Sequence, residues 1–459
     1  MANLAQTYHL FRGFSQSTIK FLFVEELSLT DIQIYTDLMF DRREKLLLFC
    51  LAAIQFNHIV DFMIVMPLGP QLMREFSITP SQFSLLVSAY SFCAGLSGFL
   101  ATFYADAFDR KKILLVMFSG FVVATGLCGL SPNYESFLIF RSLAGFFGGV
   151  MNSLILSIVS DVIDYRRRGT AMGVLATSFS LASIAGVPFS LLLAQKINWH
   201  SPFFFLAGFS LLALGFAAMT VPNLTSHLRA KSEGRLSFAE LAQPLIGALN
   251  TSSQRRALVF MFLVMFSHFM IIPFISPTLV ANGGLPENHL PLVYLIGGLC
   301  SIISAPLIGR FCDRYGKSKM YIGGFLFSII PMFIITHLER STEFWMLFVS
   351  GLFFISAGAR MIPAQTLVSQ ASPPETRGAF LSLVSCIQAI SMAFGALISG
   401  YIISENFETK ILEGYTQVGY LAIALGFLSL LVITSLKHLD SAAASGATVQ
   451  GPLNQKATL

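Results

Sequence analysis

The sequence predicts an all-α membrane protein with twelve transmembrane helices in two pseudo-symmetric six-helix bundles. Three observations support this prediction. Hydrophobic residues make up 54% of the 459 residues and charged residues only 12%, a composition that fits no soluble class. Apolar runs of about 20 residues, the length that an α-helix needs to cross a bilayer, recur along the chain. A short basic turn also occurs twice, at an offset of 207 residues, close to half the chain.

Twelve apolar runs are long enough to span a membrane. In the first half they cover 46–69, 83–105, 112–131, 135–159, 170–194 and 202–221. In the second half they cover 257–281, 290–311, 319–337, 343–369, 378–403 and 415–436. They predict an N-terminal bundle over 45–222 and a C-terminal bundle over 257–437.

Polar segments flank the two bundles. The cytoplasmic linker, 223–256, contains a stretch from Leu236 to Leu249 that suits an amphipathic helix on the membrane surface, although a solvated linker is the simpler interpretation. The tail, 438–459, is rich in Ala, Ser and Gly, which predicts disorder. The extension, 1–44, lacks a signal-peptide pattern, and Met39 precedes a charged lead-in to the first helix. Translation starting at Met39 is therefore an alternative to a translated extension.

The distribution of Lys and Arg predicts the orientation. If the first helix starts in the cytoplasm, the N-terminus, the even-numbered connections and the C-terminus hold 23 of the 29 Lys and Arg residues. The opposite connections hold only Arg74, Lys196, Arg340 and Lys410. Because positive charge is enriched in cytoplasmic loops, we expect both termini in the cytoplasm.

Several classes of function are disfavoured. The six cysteines show no CxxC or metal-ligand spacing, so we expect no disulfide framework. The triplet Gly316-Lys317-Ser318 is not a phosphate-binding loop, because six residues instead of four separate it from Gly309 and it follows a membrane helix. No catalytic triad, metal cluster or nucleotide site stands out. We therefore predict no enzyme, no cofactor and no nucleic-acid partner.

Two charged residues lie inside predicted spans of the first half. Asp61 in the first span and Arg141 in the fourth are each eight residues from the outer end of their helix, or roughly 12 Å deep. A charge near the bilayer centre costs at least roughly 2.5 kcal/mol on insertion scales, so each must be compensated or used. Their matching depths predict direct pairing. Asn57 and His58, one turn before Asp61 on the same helical face, extend the polar surface.

Two interpretations of this pair stay open. A carboxylate whose pairing with Arg141 changes between conformations also changes its proton affinity, which proton coupling requires. Alternatively, the two residues form a permanent structural ion pair. The candidate proton-coupling residues are Asp61, Arg141 and His58.

The second half contains His268 in the seventh span and Arg360 in the tenth. The segments ending in His58 and His268, Phe-Asn-His and Phe-Ser-His, align at an offset of 210 residues, so the histidines are candidate symmetry mates. Arg360 has no partner acid in the second-half spans, so it is a candidate for binding an anionic or polar substrate group or for completing the site with Asp61 or His268. A packed neutral histidine is the alternative for His268. Further polar residues belong to the cavity or connect helices, and the candidate substrate-binding residues are Asn57, Asn152, His268, Arg360, Gln365 and Gln388.

Small residues recur at every fourth position in two spans. They are Gly145, Gly149, Ser153 and Ser157 in the fourth span, and Ser178, Ala182, Gly186 and Ser190 in the fifth. This spacing predicts close helix packing, at either a moving or a static interface.

The basic turns resemble the signature loop of the major facilitator superfamily, Gly-x-Leu-x-Asp-Arg-x-Gly-Arg-Lys. The second copy matches it at Gly309, Asp313, Arg314, Gly316 and Lys317. The first copy, around Asp106, fits at Arg110 and Lys111 but has Thr102, Ala107 and Asp109 where the family has Gly, Arg and Gly.

Other elements are similar to the same family. The segment from Arg141 to Gly145 resembles its Arg-x-x-x-Gly element, and Arg168-Gly169 and Arg377-Gly378 occupy matching positions before the fifth and eleventh spans. Gly186-Val187-Pro188 resembles the antiporter element of the drug:proton antiporter branch, without its fuller Gly-Pro and Gly-Gly pattern. The stretch Phe62 to Tyr90 is similar to bacterial arabinose efflux permease-like proteins. The resemblance covers residues 45–437.

The resemblance implies a cytoplasmic latch. In this family the second span approaches the eleventh and the eighth approaches the fifth, so Asp106 and Asp313 each face a helix N-terminus of the other half, which favours a carboxylate. Arg377 and Arg168 begin those helices. We predict salt bridges that close this side in one state, although charges that only set topology are the alternative. The candidate latch residues are Asp106, Arg110, Arg168, Gly309, Asp313, Arg314, Gly316 and Arg377.

Together, these features and the resemblance predict a secondary active transporter that works by alternating access. The specific expectation is proton-coupled efflux of a small organic molecule, either a drug-like compound or a sugar. A substrate:proton symporter for uptake and a non-transporting receptor are the alternatives. We expect a monomer in the lipid bilayer of the cell membrane, most simply a bacterial inner membrane.

Overall fold

The computed structural model describes residues 40–104, 108–164, 167–224, 247, 249, 251–372, 377–406 and 408–436. Within these ranges it contains twelve helices long and apolar enough to cross a membrane, as the sequence predicts. The extension up to residue 39, the tail, nearly all of the predicted linker helix and Asp106 lie outside the described residues.

The spans are numbered 1 to 12 in chain order. In the first half they are Arg42–Ile64, Pro80–Tyr104, Arg110–Gly129, Tyr134–Val162, Arg168–Lys196 and Ser201–Thr220. In the second half they are Ser252–Ala281, Glu287–Tyr315, Lys317–Thr336, Glu343–Ser369, Arg377–Ile402 and Tyr415–Thr434. We call the side where span 1 begins and span 12 ends the basic side, and the other the opposite side.

Some spans consist of several segments. Span 4 contains Tyr134–Gly149 and Met151–Val162, and span 5 has a π-helical turn, Ala182–Gly186, between Arg168–Leu181 and Val187–Lys196. Span 7 contains Ser252–Phe269, a 3-10 turn Ile272–Phe274 and Ile275–Ala281. Span 8 joins the 3-10 turn Glu287–His289 to Leu290–Tyr315. A two-stranded antiparallel hairpin, β1 (Ser404–Glu405) and β2 (Leu412–Glu413), connects spans 11 and 12.

Span 1 differs most from its predicted bounds. It begins at Arg42 instead of 46, because Asp41 and Glu44 form a capping box at its start. Its helix ends at Ile64 instead of Gly69, and a short helix, Gly69–Glu75, follows after a turn. Pro70 in the first turn of that helix explains the break, since proline suits a helix start but not an interior. Glu44 also pairs with Arg167 at 2.6 Å, so it belongs to the folded first half.

The two halves meet on the opposite side. Gly400 in span 11 packs directly against Pro80 and Ser84 in span 2, and deeper in the membrane the Cys386 thiol donates a hydrogen bond of 3.3 Å to the Gly95 carbonyl oxygen. One apolar core there includes residues of both halves. Span 5 approaches span 8 equally closely where Ile184 contacts Gly298.

Toward the basic side, the faces of spans 5 and 8 that touch at Ile184 and Gly298 are apart. Gly309 lies three turns after Gly298 on span 8, and Gly173 lies three turns before Ile184 on span 5. A Cβ atom added at Gly173, Gly309 or Gly378 would meet nothing within 4 Å. The first half has its own apolar core on this side, without residues of the second half. The described part of the chain therefore forms a cleft that opens to the basic side.

Candidate functional site

Asp61 and Arg141 form a buried ion pair, as their matching depths predict. Arg141 Nη1 donates to Asp61 Oδ2 over 2.9 Å, and the side chains are 1% and 0% exposed. Thr125 Oγ1 in span 3 donates a weaker bond of 3.3 Å to the other carboxylate oxygen. Because the pair neutralises itself, three spans of the first half accommodate two charges inside the membrane.

Tyr90 in span 2 completes the surroundings of this pair. The guanidinium carbon of Arg141 lies 4.3 Å from the centre of the Tyr90 ring, a cation–π contact. His58 stands beside the same ring, with centroids 6.4 Å apart. Asn57 is fully buried and donates to the Ala53 carbonyl oxygen over 3.0 Å. Tyr90 and Thr125 were not predictable from the sequence, because neither residue type is unusual enough in an apolar helix to mark a site.

Glycines in span 4 position Arg141 against span 2. A Cβ at Gly145 would overlap the backbone of Tyr90, and one at Gly149 would overlap the backbone of Ala94. Only glycine allows the two backbones to approach this closely, as the four-residue spacing predicts. Arg141 is one turn before Gly145, so this contact fixes its height beside Asp61 and Tyr90.

Arg360 is the second buried arginine and has a different environment. It is 1% exposed, and its guanidinium donates to Ser267 Oγ over 3.0 Å and approaches the Met332 sulfur at 3.4 Å. The Phe325 ring centre lies 5.4 Å from its guanidinium carbon. Among the described residues it makes no ion pair, in agreement with the lack of acids in the second-half spans. Its Nε atom is buried without a protein partner.

The remaining candidate binding residues are dispersed. His268 is buried and stacks parallel to Phe353, with ring centroids 5.5 Å apart. Asn152 and Gln365 are exposed and Gln388 is half-buried. The structure thus places His268 next to Ser267, the partner of Arg360, but does not bring the other three polar side chains into a hydrogen-bonded cluster.

The predicted latch contact between Asp313 and Arg168 is not formed in this conformation, and Asp106 of the other predicted pair lies outside the described residues. Asp313 and Arg377 are exposed, and neither forms an ion pair in the part of the chain that the structure describes. Arg168 instead donates to the carbonyl oxygens of Ser160 and Ile163. Arg110 pairs with Asp161 at 2.5 Å. Gly309, Arg314 and Gly316 lie at the end of span 8, where the cleft is open. The latch stays a prediction about the other state.

A salt bridge between the halves closes the opposite side. Arg74 lies in the short helix after span 1. Its two terminal guanidinium nitrogens each donate a hydrogen bond to the carboxylate of Glu287, at the start of span 8. The hydrogen bond to Glu287 raises the pKa of Arg74 above its usual value. Gln195 at the end of span 5 donates to the Glu287 carbonyl oxygen over 2.6 Å. In the sequence Arg74 indicates only topology, and its contact with Glu287 was not predictable because no motif relates the two residues.

Phenylalanines fill the space between this salt bridge and the buried charges. Phe62 and Phe269, the residues after Asp61 and His268, have ring centroids 6.0 Å apart. Phe83 and Phe274 form a second pair across the halves at 5.7 Å. Asp61 and His268 therefore lie beside the level at which the contact between the halves ends and the cleft begins. Two repeated six-helix bundles with a buried charged site inside each, around a cleft that is open on one side, define a membrane transporter.

The family comparison agrees with this architecture. The model of the Major Facilitator Superfamily matches residues 51–255 and 257–455. The chain therefore belongs to the major facilitator superfamily, and it is a multi-pass membrane transporter and not an enzyme. This confirms the family resemblance and the fold class that the sequence predicts.

Curated relatives are distant but cover most of the chain. One is "Uncharacterized MFS-type transporter YceJ" of Bacillus subtilis, 24% identical over 363 residues, or 78% of this chain and 89% of that protein. Another is "Probable sugar efflux transporter" of Helicobacter pylori, 25% identical over 391 residues, or 84% of this chain and 93% of that protein.

Solved structures establish the fold. A bacterial homolog of the human lysosomal transporter Spinster, in an inward-facing and unoccupied conformation, has a TM-score of 0.65 at 16% identity and covers 90% of this chain and 100% of that one. The nucleoside transporter NupG has a TM-score of 0.65 at 14% identity and covers 85% and 99%.

Proposed function

We propose that the protein is a proton-coupled exporter of a small organic molecule, with sugars as the first substrate class to test. The observation that carries this proposal is the ion pair of Asp61 and Arg141, which is buried inside the first bundle one residue from the contact between Phe62 and Phe269 of the two halves. The name of the Helicobacter pylori relative, a sugar efflux transporter, supports both the substrate class and the direction. The excess of Lys and Arg makes the basic side cytoplasmic, so this conformation is inward-open in a cell membrane.

The coupling mechanism follows from the chemistry of the pair. A proton on Asp61 removes the charge that neutralises Arg141. An unpaired buried charge costs several kcal/mol, so protonation favours a conformation in which Arg141 gains water or another partner. If substrate binding favours a different conformation from protonation, the two exchange across the membrane by alternating access.

The antiporter-like element supports exchange. Gly186-Val187-Pro188 begins in the π-helical turn of span 5, and Ile184 in this turn contacts Gly298 across the halves. Short π-helical insertions occur frequently at functional sites. Span 5 can therefore change its contact with span 8 locally, without the whole helix moving.

The second half supplies the proposed substrate contacts. Arg360 and His268 share the neighbourhood of Ser267, and Arg360 Nε has a free hydrogen-bond donor. A guanidinium donor suits sugar hydroxyls as well as anionic groups. Closure of the basic side would bring Asp313 toward Arg168, as the latch predicts.

Reconstituted vesicles test the proposal. Labelled glucose, arabinose and lactose are offered while an internal pH dye reports proton movement. We expect one of these sugars to move protons in the direction opposite to its own flux. In Asp61→Asn, proton movement should disappear while sugar-for-sugar counterflow persists, which also shows that the variant is folded. The proposal fails if none of the sugars moves protons, or if the variant stays coupled.

A further inference from the structure

Several buried polar atoms in and near the ion pair have no hydrogen-bond partner in the protein, and two of them face the same glycine. These two are the Tyr90 hydroxyl and His58 Nε2. Tyr90 is 2% exposed, so its hydroxyl is shielded from bulk water. Leaving such a group unpaired costs about 1–3 kcal/mol, and native proteins therefore place a water molecule or a ligand at such sites.

Both atoms point at the same glycine. A Cβ atom on Gly148 would lie 2.9 Å from His58 Nε2 and 3.1 Å from the Tyr90 hydroxyl. The two atoms are therefore at most about 6 Å apart, within the reach of one bridging water molecule that makes two hydrogen bonds. The Tyr90 hydroxyl also neighbours the Asp61 carboxylate, without a hydrogen bond of normal geometry.

His58 leads from this site toward the cleft. It is only partly buried and lies one turn before Phe62 on the same face of span 1, on the side of the cleft. Phe62 contacts Phe269 of the other half. His58 is therefore one turn nearer the basic side than the contact between the halves, and its ring packs among Tyr90, Phe121 and Gly148 of the first half.

We propose that the Tyr90 hydroxyl, with one water molecule held between it and His58, is the route by which a proton from the cleft reaches Asp61. The inference rests on the proposed proton coupling at Asp61. His58 first takes up a proton from the cleft and becomes an imidazolium. Its Nε2 proton then passes to the water, the water gives one to the Tyr90 oxygen, and the Tyr90 hydroxyl proton passes to an Asp61 oxygen, which leaves Asp61 neutral. Each relay group then has its starting charge again.

Tyr90 has a second function that keeps the relay in place. Its ring makes a cation–π contact with the Arg141 guanidinium, and its backbone packs directly against Gly145. Tyr90→Phe keeps the ring and both contacts and removes only the hydroxyl, which makes no hydrogen bond of normal geometry, so it should fold normally. Gly148→Ala places a methyl group against His58 and the Tyr90 hydroxyl, and should obstruct the same route from the other helix.

The test follows protonation of Asp61 itself, with the proton as the probe. Purified protein in lipid vesicles receives a pH jump, and the infrared band of the protonated carboxyl group is followed in time. The other titratable groups around Tyr90 are His58, Arg141 and Cys128, none of which gives this band. The difference between wild type and Asp61→Asn isolates the Asp61 signal.

We expect protonation to be at least about tenfold slower in Tyr90→Phe and in Gly148→Ala. Two controls should keep the wild-type rate: Tyr321→Phe, a buried tyrosine of the second half, and Gly126→Ala, whose Cβ would be 3.6 Å from Ala207. If Asp61→Asn does not change the band, the proposed coupling at Asp61 fails. If it does, but both relay variants keep the wild-type rate, the relay is overturned and the coupling proposal stands.

Discussion

Substituting Gly400 by alanine should shift the protein away from the conformation described here. A Cβ at Gly400 would overlap the Cβ and Oγ of Ser84 and lie 3.0 Å from the Pro80 carbonyl oxygen. Rotating the serine relieves only the hydroxyl clash, because its Cβ is fixed to the backbone, so spans 2 and 11 must separate. Overpacking of this kind costs about 1–3 kcal/mol. At about 1.4 kcal/mol per factor of ten, closure of the opposite side weakens about 5- to 150-fold.

Spin labels on the opposite side measure this shift. Lys196 in the first half and Arg340 in the second are exposed there, and the distance between labels at these positions distinguishes a closed from an open side. We expect Gly400→Ala to populate a longer distance. Gly323→Ala is the matched control, because its Cβ would meet nothing within 4 Å and the gain in helix propensity is the same. Identical distance distributions in the two variants would refute the reasoning.

Two further predictions concern charged pairs. Asp61→Asn should destabilise the protein by about 3–5 kcal/mol, since it leaves Arg141 buried and unpaired. Combining Asp61→Asn with Arg141→Gln should recover most of this loss. Thermal unfolding in detergent measures both variants, and equal stability of the single and double variants would contradict this expectation. Glu287→Gln should weaken closure of the opposite side by only about 1 kcal/mol or less, because the Arg74 and Glu287 side chains are 61% and 31% exposed. The distance between the same spin labels should detect this change, and the effect of the substitution should be smaller at high salt. A shift as large as that of Gly400→Ala would show that the salt bridge stabilises the closed side more than its exposure to water allows.

The sequence was sufficient for the fold because membrane spans are a local property. Length and apolarity alone identify all twelve helices, and errors are confined to ends such as that of span 1, where a turn and Pro70 interrupt an apolar run. The depth of Asp61 and Arg141 was predictable for the same reason, since helix rise converts residue number into height.

Contacts between spans were less accessible to sequence reasoning. Two residues at equal depth pair only if their helices face each other, which one-dimensional patterns do not determine. The bridge between Arg74 and Glu287 joins positions 213 residues apart across the two halves. The partners of Arg360 are Ser267 and Met332, which are ordinary residues in an apolar helix. Such contacts require the packed bundle.

The charged sites of the two halves are not symmetry mates, although the halves repeat. Spans 4 and 10 are capped by Asn133 and Thr342, an offset of 209 residues, which aligns Arg141 with Ser350 and not with Arg360. Arg360 is ten residues further along its span than Arg141, or about 15 Å deeper toward the basic side.

The offset of 210 residues between spans 1 and 7 likewise aligns Asp61 with the apolar residue Ile271. The second half therefore lacks the whole acid–arginine pair and has a permanently charged arginine at another depth. A proton can change the charge of Asp61 but not that of Arg360. If the two repeats swap conformations, the cleft opens to the other side of the membrane, while Asp61 stays in the first half. The proposed coupling at Asp61 requires a single titrating group of this kind.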